Sequence, residues 1–462
     1  MGGGKSKIAC DEFVQLYLEK KIDRVLVVSG AGSYGDWTEK HLPENLPPDL
    51  PVKSHMWRGG RRKAETDALR YLLDDPPALR ILTMNIEALS MSRDAMTVAE
   101  NFVRGGRTVF VVDESTKIKD EGSIRTKAAI RLGKLCVVRR IMTGSPVTKS
   151  PLDLWSQMKF LGVHEEFAEN YYGFRARFCE LEQVRIGMGK PTANGAPARS
   201  KYVFKVVGAR NLDVLERRLA RHSYRVLKEE CLDLPPKTYR QQEVELTPEQ
   251  ARLYGEMARL ASAELENGLW SSSKNAMDRL LKLHQIILGH LVDENGDVHG
   301  IPTNRPRVLG DLVEEMGDKV IVWCAFRRDV TLVLQELERR FPTRRSVRYD
   351  GLCSADQRAA AKVDFQEGDA HCFVGTAATG GMGITLTASA NVVYYSNDFN
   401  LEHRLQSEDR AHRDGQTRPV LYVDMITPRT VEERIVENLR GKKTIADAVN
   451  GDGVRDWLRY LK

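Results

Sequence analysis

Short apolar runs that end in small or polar residues recur along this chain, separated by longer stretches with apolar residues at three- and four-residue spacing. In the first third the runs are RVLVVSG (24–30), RILTMN (80–85), RTVFVVDES (107–115) and VVRRIMTGSP (137–146). In the last third they are KVIVWCAF (319–326), SVRYDG (346–351), HCFVGTA (371–377), NVVYYSND (391–398) and PVLYVDMIT (419–427). Near-continuous aliphatic runs are the pattern of strands covered on both faces, as in parallel sheets between helices. Two such groups predict two parallel α/β lobes.

The stretch between them is less regular. Residues 162–234 mix aromatic and basic side chains around GKPTANGAPARS (189–200), whose turn residues suit the tip of an exposed hairpin. Residues 247–290 read as helical, with Thr247 as N-cap and Pro248 in the first turn. Turn residues cluster in VDENGDVHGIPTNRPR (292–307), where the lobe boundary is expected. The predicted division is a first lobe over 1–161, a helical and basic insertion with a lobe-one closing segment over 162–290, a second lobe over 291–448 and a C-terminal helix over 449–462.

Composition narrows this picture. With 462 residues, 42% hydrophobic and 29% charged, the chain is long enough for two large cores. No run approaches the roughly 18 apolar residues of a membrane span, so no membrane role is expected. Seven scattered cysteines without a CxxC pair argue against structural zinc and a disulfide framework, and for a reducing, cytoplasmic setting. Net charge is only +6, but residues 174–228 hold 13 lysines and arginines against 4 acids. That stretch suits a polyanion, and equally a solvated basic helix.

The candidate chemistry lies at strand ends, where ligands of open α/β sheets bind. MGGGKS (1–6) is the second half of a phosphate-binding loop: the amides of Gly2, Gly3 and Gly4 and the Lys5 ammonium suit phosphate, and the Ser6 hydroxyl suits Mg²⁺. A flexible glycine-rich tail has the same composition. Asp113 and Glu114 follow a strand and suit Mg²⁺ ligation and activation of water, while an N-cap with a first-turn acid gives the same pattern. TGSP (143–146) follows the next strand, with hydroxyls at Thr143 and Ser145 suited to relay nucleotide state towards a polyanion site. In the second group, GTAATGGMGITL (375–386) sets hydroxyls and Gly380, Gly381 and Gly383 at a strand-to-helix junction suited to phosphate. QSEDRAHRDGQ (406–416) places Arg410 and Arg413 on one helical face, as a phosphoryl-transfer site or a solvated helix would.

Taken in order and spacing, these motifs resemble the superfamily-two helicases, and most closely their Swi/Snf-type translocase branch. EDRAHRDGQ (408–416) is the most specific piece; TMNIEAL, PLDLWSQMKFL around Trp155, RVLKEECLDLPPK ending at Lys237, YDG and NDFN add to it. The resemblance implies two RecA-like lobes with a nucleotide cleft between them, ATP and Mg²⁺ as cofactors, and DNA as partner, duplex favoured. It implies that Gly2, Gly3, Gly4, Lys5, Ser6 and Gly383 hold nucleotide, Ser6 and Asp113 hold Mg²⁺, and Glu114 positions water. Arg410 and Arg413 become arginine fingers, Gln406 supports the nucleotide, and Ser33, Asn85, Thr376, Thr379, Arg175 and Arg177 contact DNA.

The chain departs from that pattern in three places: Thr116 stands where the family has histidine, Gly30 where it has proline, and the adenine-recognising segment and first strand would precede residue 1. A fragment, or a start at an internal methionine of a bacterial or phage protein, is therefore expected. Two other readings stay open: a strand-separating or restriction-type motor on single strands or RNA, and a nucleic-acid-binding module without catalysis.

Overall fold

The computed structural model describes residues 4–440, apart from 31, 60–62, 75–76, 145, 148–149, 189–199, 225, 227–232, 267–272, 294 and 381–383. Two compact units are present: Met1–Val184 with Val203–Cys231, and Arg185–Tyr202 with Leu232–Lys462.

The first unit is built on β1 (Arg24–Ser29), β2 (Val52–Met56), β3 (Leu79–Asn85), β4 (Thr108–Asp113) and β5 (Val138–Met142), in the order β2-β3-β1-β4-β5 with every pairing parallel. Alternate residues of each strand serve opposite faces. Leu26, Val28, Leu82, Met84, Phe110 and Val112 join one apolar core, and Val25, Val27, Ile81, Val109 and Val111 join the other. Burial of each such side chain stabilises the fold by about 1.5–3 kcal/mol, so a strand covered on both faces is apolar at most positions. That physical demand produced the continuous runs in the sequence. Strand β2, by contrast, is an edge strand with no fully buried residue, and its sequence VKSHM carries no such run.

The chain leaves β1 towards one edge of the sheet and β4 towards the other, so the two adjacent strands form the topological switch point. Open sheets bind ligands in the crevice at the carboxyl ends of such a pair. Ser29 ends β1 and Asp113 ends β4.

Strands β6 (Cys179–Met188) and β7 (Ser200–Ala209) pair as a two-stranded sheet, the flanks expected of the hairpin; most of its tip lies outside the described residues. In the second unit, β8 (Lys237–Glu243) precedes a small antiparallel pair, β9 (His290–Val292) and β10 (Val298–Gly300). The main sheet adds β11 (Val320–Cys324), β12 (Ser346–Tyr349), β13 (Cys372–Thr376), β14 (Asn391–Tyr394) and β15 (Val420–Ile426) in the parallel order β12-β13-β11-β14-β15-β8.

This corrects the expected boundary. The second unit takes up the chain from Leu232 rather than near residue 291, because β8 runs alongside β15 from Lys237↔Val420 to Glu243↔Ile426. β8 reads KTYRQQE, an edge strand of mostly polar residues that no apolar pattern announces. The helix Pro248–Glu266, capped by Thr247 with Gln250 N–H donating to its Oγ1 at 3.2 Å, belongs to this unit as well. The expected helix over 449–462 lies outside the described residues.

Candidate functional site

In the first unit, Gly4 takes the left-handed conformation (φ 73°) that favours glycine and opens the helix Lys5–Leu18, with Ile8 N–H donating to its carbonyl at 3.0 Å. Lys5 and Ser6 therefore occupy the first turn of a helix, where free amides and the helix dipole favour anions. Lys5 Nζ lies 3.9 Å from Glu114 Oε1. Gly2 and Gly3 lie outside the described residues.

Asp113 is held in place by its neighbours. Ser29 Oγ and Trp37 Nε1 each donate to Asp113 Oδ2 at 3.1 Å, and the backbone N–H of Glu114 donates to Oδ1 at 3.1 Å. Ser33 Oγ stands 2.5 Å from Ser29 Oγ, so the hydroxyl expected to meet DNA belongs here to the support of this carboxylate. Glu114 itself has φ 57°, a left-handed conformation uncommon outside glycine, asparagine and aspartate. Strained backbone of this kind clusters at functional sites. The switch point thus gathers an ammonium, a positioned carboxylate and a second carboxylate, the set that metal-assisted phosphoryl transfer to water uses.

Just beyond, Ser115 Oγ donates to Gln157 Oε1 at 2.5 Å, and Gln157 Nε2 donates to the carbonyls of Pro146 and Asp153 at 2.7 Å each. Thr116, where histidine was expected, is buried. Asn85 Oδ1 accepts from Glu87 N–H at 3.0 Å, closing the turn after β3. Arg175 donates to the carbonyl of Phe204, and Arg177 is exposed beside the Phe178 ring, 5.6 Å from its centroid.

In the second unit, the helix Leu401–Ala411 carries Arg410, while Arg413 lies in the bend beyond its end, so the two do not share one helical face as their spacing suggested. Arg410 is 4% exposed, with Nε donating to the Gln406 carbonyl at 3.0 Å and Nη1 to the Ile384 carbonyl at 3.2 Å. Arg413 Nη1 donates to the same Ile384 carbonyl at 3.2 Å, so the two guanidiniums converge on the residue after Gly383, itself outside the described residues. Gln406 Nε2 donates to Glu402 Oε1 at 3.1 Å. Thr376 Oγ1 donates to Thr379 Oγ1 at 2.9 Å at the junction after β13. There Gly380 permits close packing: a Cβ would stand 2.2 Å from the Trp323 ring.

The structure also shows groups the sequence reading missed. Arg404, 5% exposed, pairs with Asp424 and with Glu408 (Nε to Oε1, 2.8 Å) and lies 3.6 Å from the Tyr394 ring centroid. Glu408 Oε2 also accepts from Lys237 Nζ at 3.0 Å and Tyr239 OH at 2.9 Å, which ties β8 to the arginine helix. Burial disfavours the Glu408 charge, but Arg404 and Lys237 outweigh it and hold the carboxyl below its ordinary range. Lys237 was legible as the end of LPPK; its partner, 171 residues away, was not.

Comparison with known proteins agrees with these motifs. Residues 70–288 match the SNF2-related domain and residues 304–415 the helicase conserved C-terminal domain. The human TATA-binding protein-associated factor 172 is 26% identical over 397 residues, 73% of this chain and 20% of that protein. An uncharacterised ATP-dependent helicase of Mycoplasma genitalium is 29% identical over 351 residues, 74% of this chain and 31% of the relative. The chain thus spans between a fifth and a third of the length of these two relatives. Among solved structures, the Sulfolobus solfataricus SWI2/SNF2 ATPase core in complex with dsDNA matches over 100% of this chain and 91% of that one, at 21% identity and a TM-score of 0.40. Among the described residues, no helix is long and apolar enough to cross a membrane. With both domains present in that order, the chain is a member of the Swi/Snf-type branch of the superfamily-two helicases.

Proposed function

We propose that this chain is an ATP hydrolase and a DNA motor that couples nucleotide turnover to movement along DNA, with duplex as the preferred track. The observation that carries the reading is the meeting of Lys5 with Glu114 beside the anchored Asp113. In this proposal Gly4, Lys5 and Ser6 receive the phosphates of ATP, with Ser6 and Asp113 as ligands of Mg²⁺. The donor set fits: a hydroxyl and a carboxylate suit a hard cation that keeps several waters and shares ligands with a phosphate chain. The metal supplies charge neutralisation for the terminal phosphate.

Glu114 then accepts the proton of the attacking water, and Arg410 and Arg413 supply positive charge to the phosphoryl group as it transfers. Gln406 is assigned to support of the nucleotide. Asn85, Thr376 and Thr379 are assigned to the DNA backbone, together with Ser33 if its hydroxyl leaves Ser29. Arg175 and Arg177 are assigned to an outer phosphate contact, supported by the positive charge of the surrounding stretch. A cytoplasmic setting belongs to the same proposal, supported by the scattered cysteines, none of them bonded among the described residues.

The test is ATP hydrolysis by this chain beside a Lys5→Ala control, with no polymer, duplex DNA, single-stranded DNA and RNA in turn. Turnover stimulated by duplex and abolished in the control is the expected result. Stimulation by single strands or RNA but not duplex would overturn the duplex assignment, and silence in all four would overturn the motor.

A further inference from the structure

Thr116 stands where the family has histidine, and the acidic loop is hydrogen-bonded to the loop after β5 through Ser115 and Gln157. Ser115 and Gln157 are both fully buried. Ser115 Oγ donates to Gln157 Oε1 at 2.5 Å, and Gln157 Nε2 donates to the Pro146 carbonyl at 2.7 Å. Ser115 directly follows Glu114, and Pro146 closes TGSP; the strands that carry the two loops are neighbours, with Asp113 opposite Met142.

Gln157 sits in the helix Asp153–Leu161 among Leu154, Trp155, Met158 and Phe160, all buried. A side chain whose task was packing alone would be apolar there, because a buried amide is costly unless both its donor and its acceptor are used. Here they are used, and on two different loops.

Resting on the motor reading above, we propose that Gln157 is a positioning residue that transmits the state of the Glu114 loop to the TGSP loop, and so sets how strongly DNA stimulates ATP turnover. When Glu114 shifts with nucleotide, Ser115 moves with it. The buried hydroxyl keeps its acceptor only if Gln157 follows, and Gln157 keeps Pro146 only if the TGSP loop follows. The relay is made of hydrogen bonds and needs no change of charge.

The test uses Gln157→Leu, the double variant Ser115→Ala with Gln157→Leu, and Gln157→Glu, with thermal unfolding, turnover with and without saturating duplex, and hydrogen exchange over residues 143–147 with and without a non-hydrolysable ATP analogue. The double variant replaces the Ser115–Gln157 pair by apolar groups and leaves the part-buried Pro146 carbonyl to water, so its unfolding temperature is expected to fall by no more than a few degrees. Its turnover without DNA is expected within about twofold of the parent, while stimulation by DNA falls about tenfold, the size of a typical coupling between sites. The nucleotide-dependent change in exchange over 143–147 is expected to vanish with it.

Gln157→Glu supplies a readout that a packing role would not move. Its protonated carboxyl can accept from Ser115 and donate to Pro146, and its ionised form cannot donate, so stimulation should return as pH falls. Full stimulation in a stably folded double variant, or equal loss of turnover with and without DNA, would overturn the relay. A parent in which nucleotide neither turns over nor alters exchange would overturn the motor reading and the relay with it. A parent that turns over ATP but fails to alter exchange over 143–147 would overturn the relay alone.

Discussion

Lys5 Nζ stands 3.9 Å from Glu114 Oε1, joining the first turn of one helix to the loop after β4. Both groups are partly exposed, at 30% and 17%, and such a pair contributes roughly 0–1 kcal/mol to stability. Stability does not account for the placement, which suits the proposed chemistry on a phosphate. Glu114→Gln keeps size and hydrogen bonding but removes the base, and is expected to slow hydrolysis by about 10²–10⁴ while nucleotide binding survives. Lys5→Ala is expected to lose binding itself. Nucleotide-binding and single-turnover measurements on the two variants separate these outcomes; equal binding loss in both would remove Glu114 from the role of base.

Trp37 and Ser29 share one oxygen of Asp113. Groups that orient a metal ligand typically change metal affinity by about 10–100-fold when removed. Trp37→Phe deletes the indole N–H while keeping an aromatic ring beside Phe13, whose centroid is 6.5 Å away. The Mg²⁺ needed for half-maximal turnover should therefore rise by about tenfold, with the maximal rate recovered at high Mg²⁺. Chelation of divalent cations should silence parent and variant alike. A Mg²⁺ titration at fixed ATP reads both.

How much of this was legible follows from burial. β1, β3, β4, β11, β13 and β15 were readable because a strand covered on both faces is apolar at most positions. β2 and β8 were not, since edge strands such as VKSHM and KTYRQQE can be polar, and missing β8 misplaced the boundary between the units. At the candidate site, motif spacing singled out Lys5, Asp113 and Glu114, which the structure brings together. Ser29, Trp37, Ser115 and Gln157 were invisible as a group, because their partners are brought together only by the parallel register of β1, β4 and β5.

Arg410 and Arg413 both donate to the Ile384 carbonyl, an arrangement that holds two cations side by side on one acceptor. If they serve the transferring phosphoryl group, removing either should lower turnover far more than nucleotide affinity. For Arg410→Ala the expected loss is about 10³–10⁵ in rate. Arg410→Lys should recover little, since a point charge cannot keep the Gln406 and Ile384 carbonyls together. Turnover beside nucleotide affinity decides the matter, and a loss confined to affinity would count against the finger role.

The helix that bears Arg410, with Arg413 just past its end, is anchored through Arg404. Its guanidinium pairs with Asp424 and Glu408 out of contact with water, and Arg404→Met would leave two buried carboxylates short of a cation. Breaking a buried pair from one side costs about 3–5 kcal/mol. Urea unfolding of the chain should show a loss of that order, and a loss below about 1 kcal/mol would mean that the network is no stronger than a surface pair.

His290 and Asp329 give the second unit two pH terms of opposite sign. Their rings and oxygens meet at 3.6 Å (Nδ1 to Oδ1), with Ser396 donating to the other Asp329 oxygen at 2.6 Å and His284, Arg305 and Arg328 nearby. Burial pushes His290 down from 6.5 to about 4 and Asp329 up from 3.8 to about 6. As pH falls from 6.5 towards 4, the unfolded chain takes a proton at histidine that the folded chain refuses, and stability is lost. Asp329 runs the other way: its contribution is whole below 3.8 and is lost as pH rises through 6, where the buried carboxyl must ionise. Each shift is worth about 3 kcal/mol, so in the parent the two largely offset one another between pH 4 and 6. Separating them should expose both. Relative to the parent, His290→Gln should gain stability on acidification over that range, and Asp329→Asn should lose it. Urea unfolding at the two ends of the range measures each difference, and shifts of the same sign in both variants would show that the pair does not titrate as two opposed buried groups.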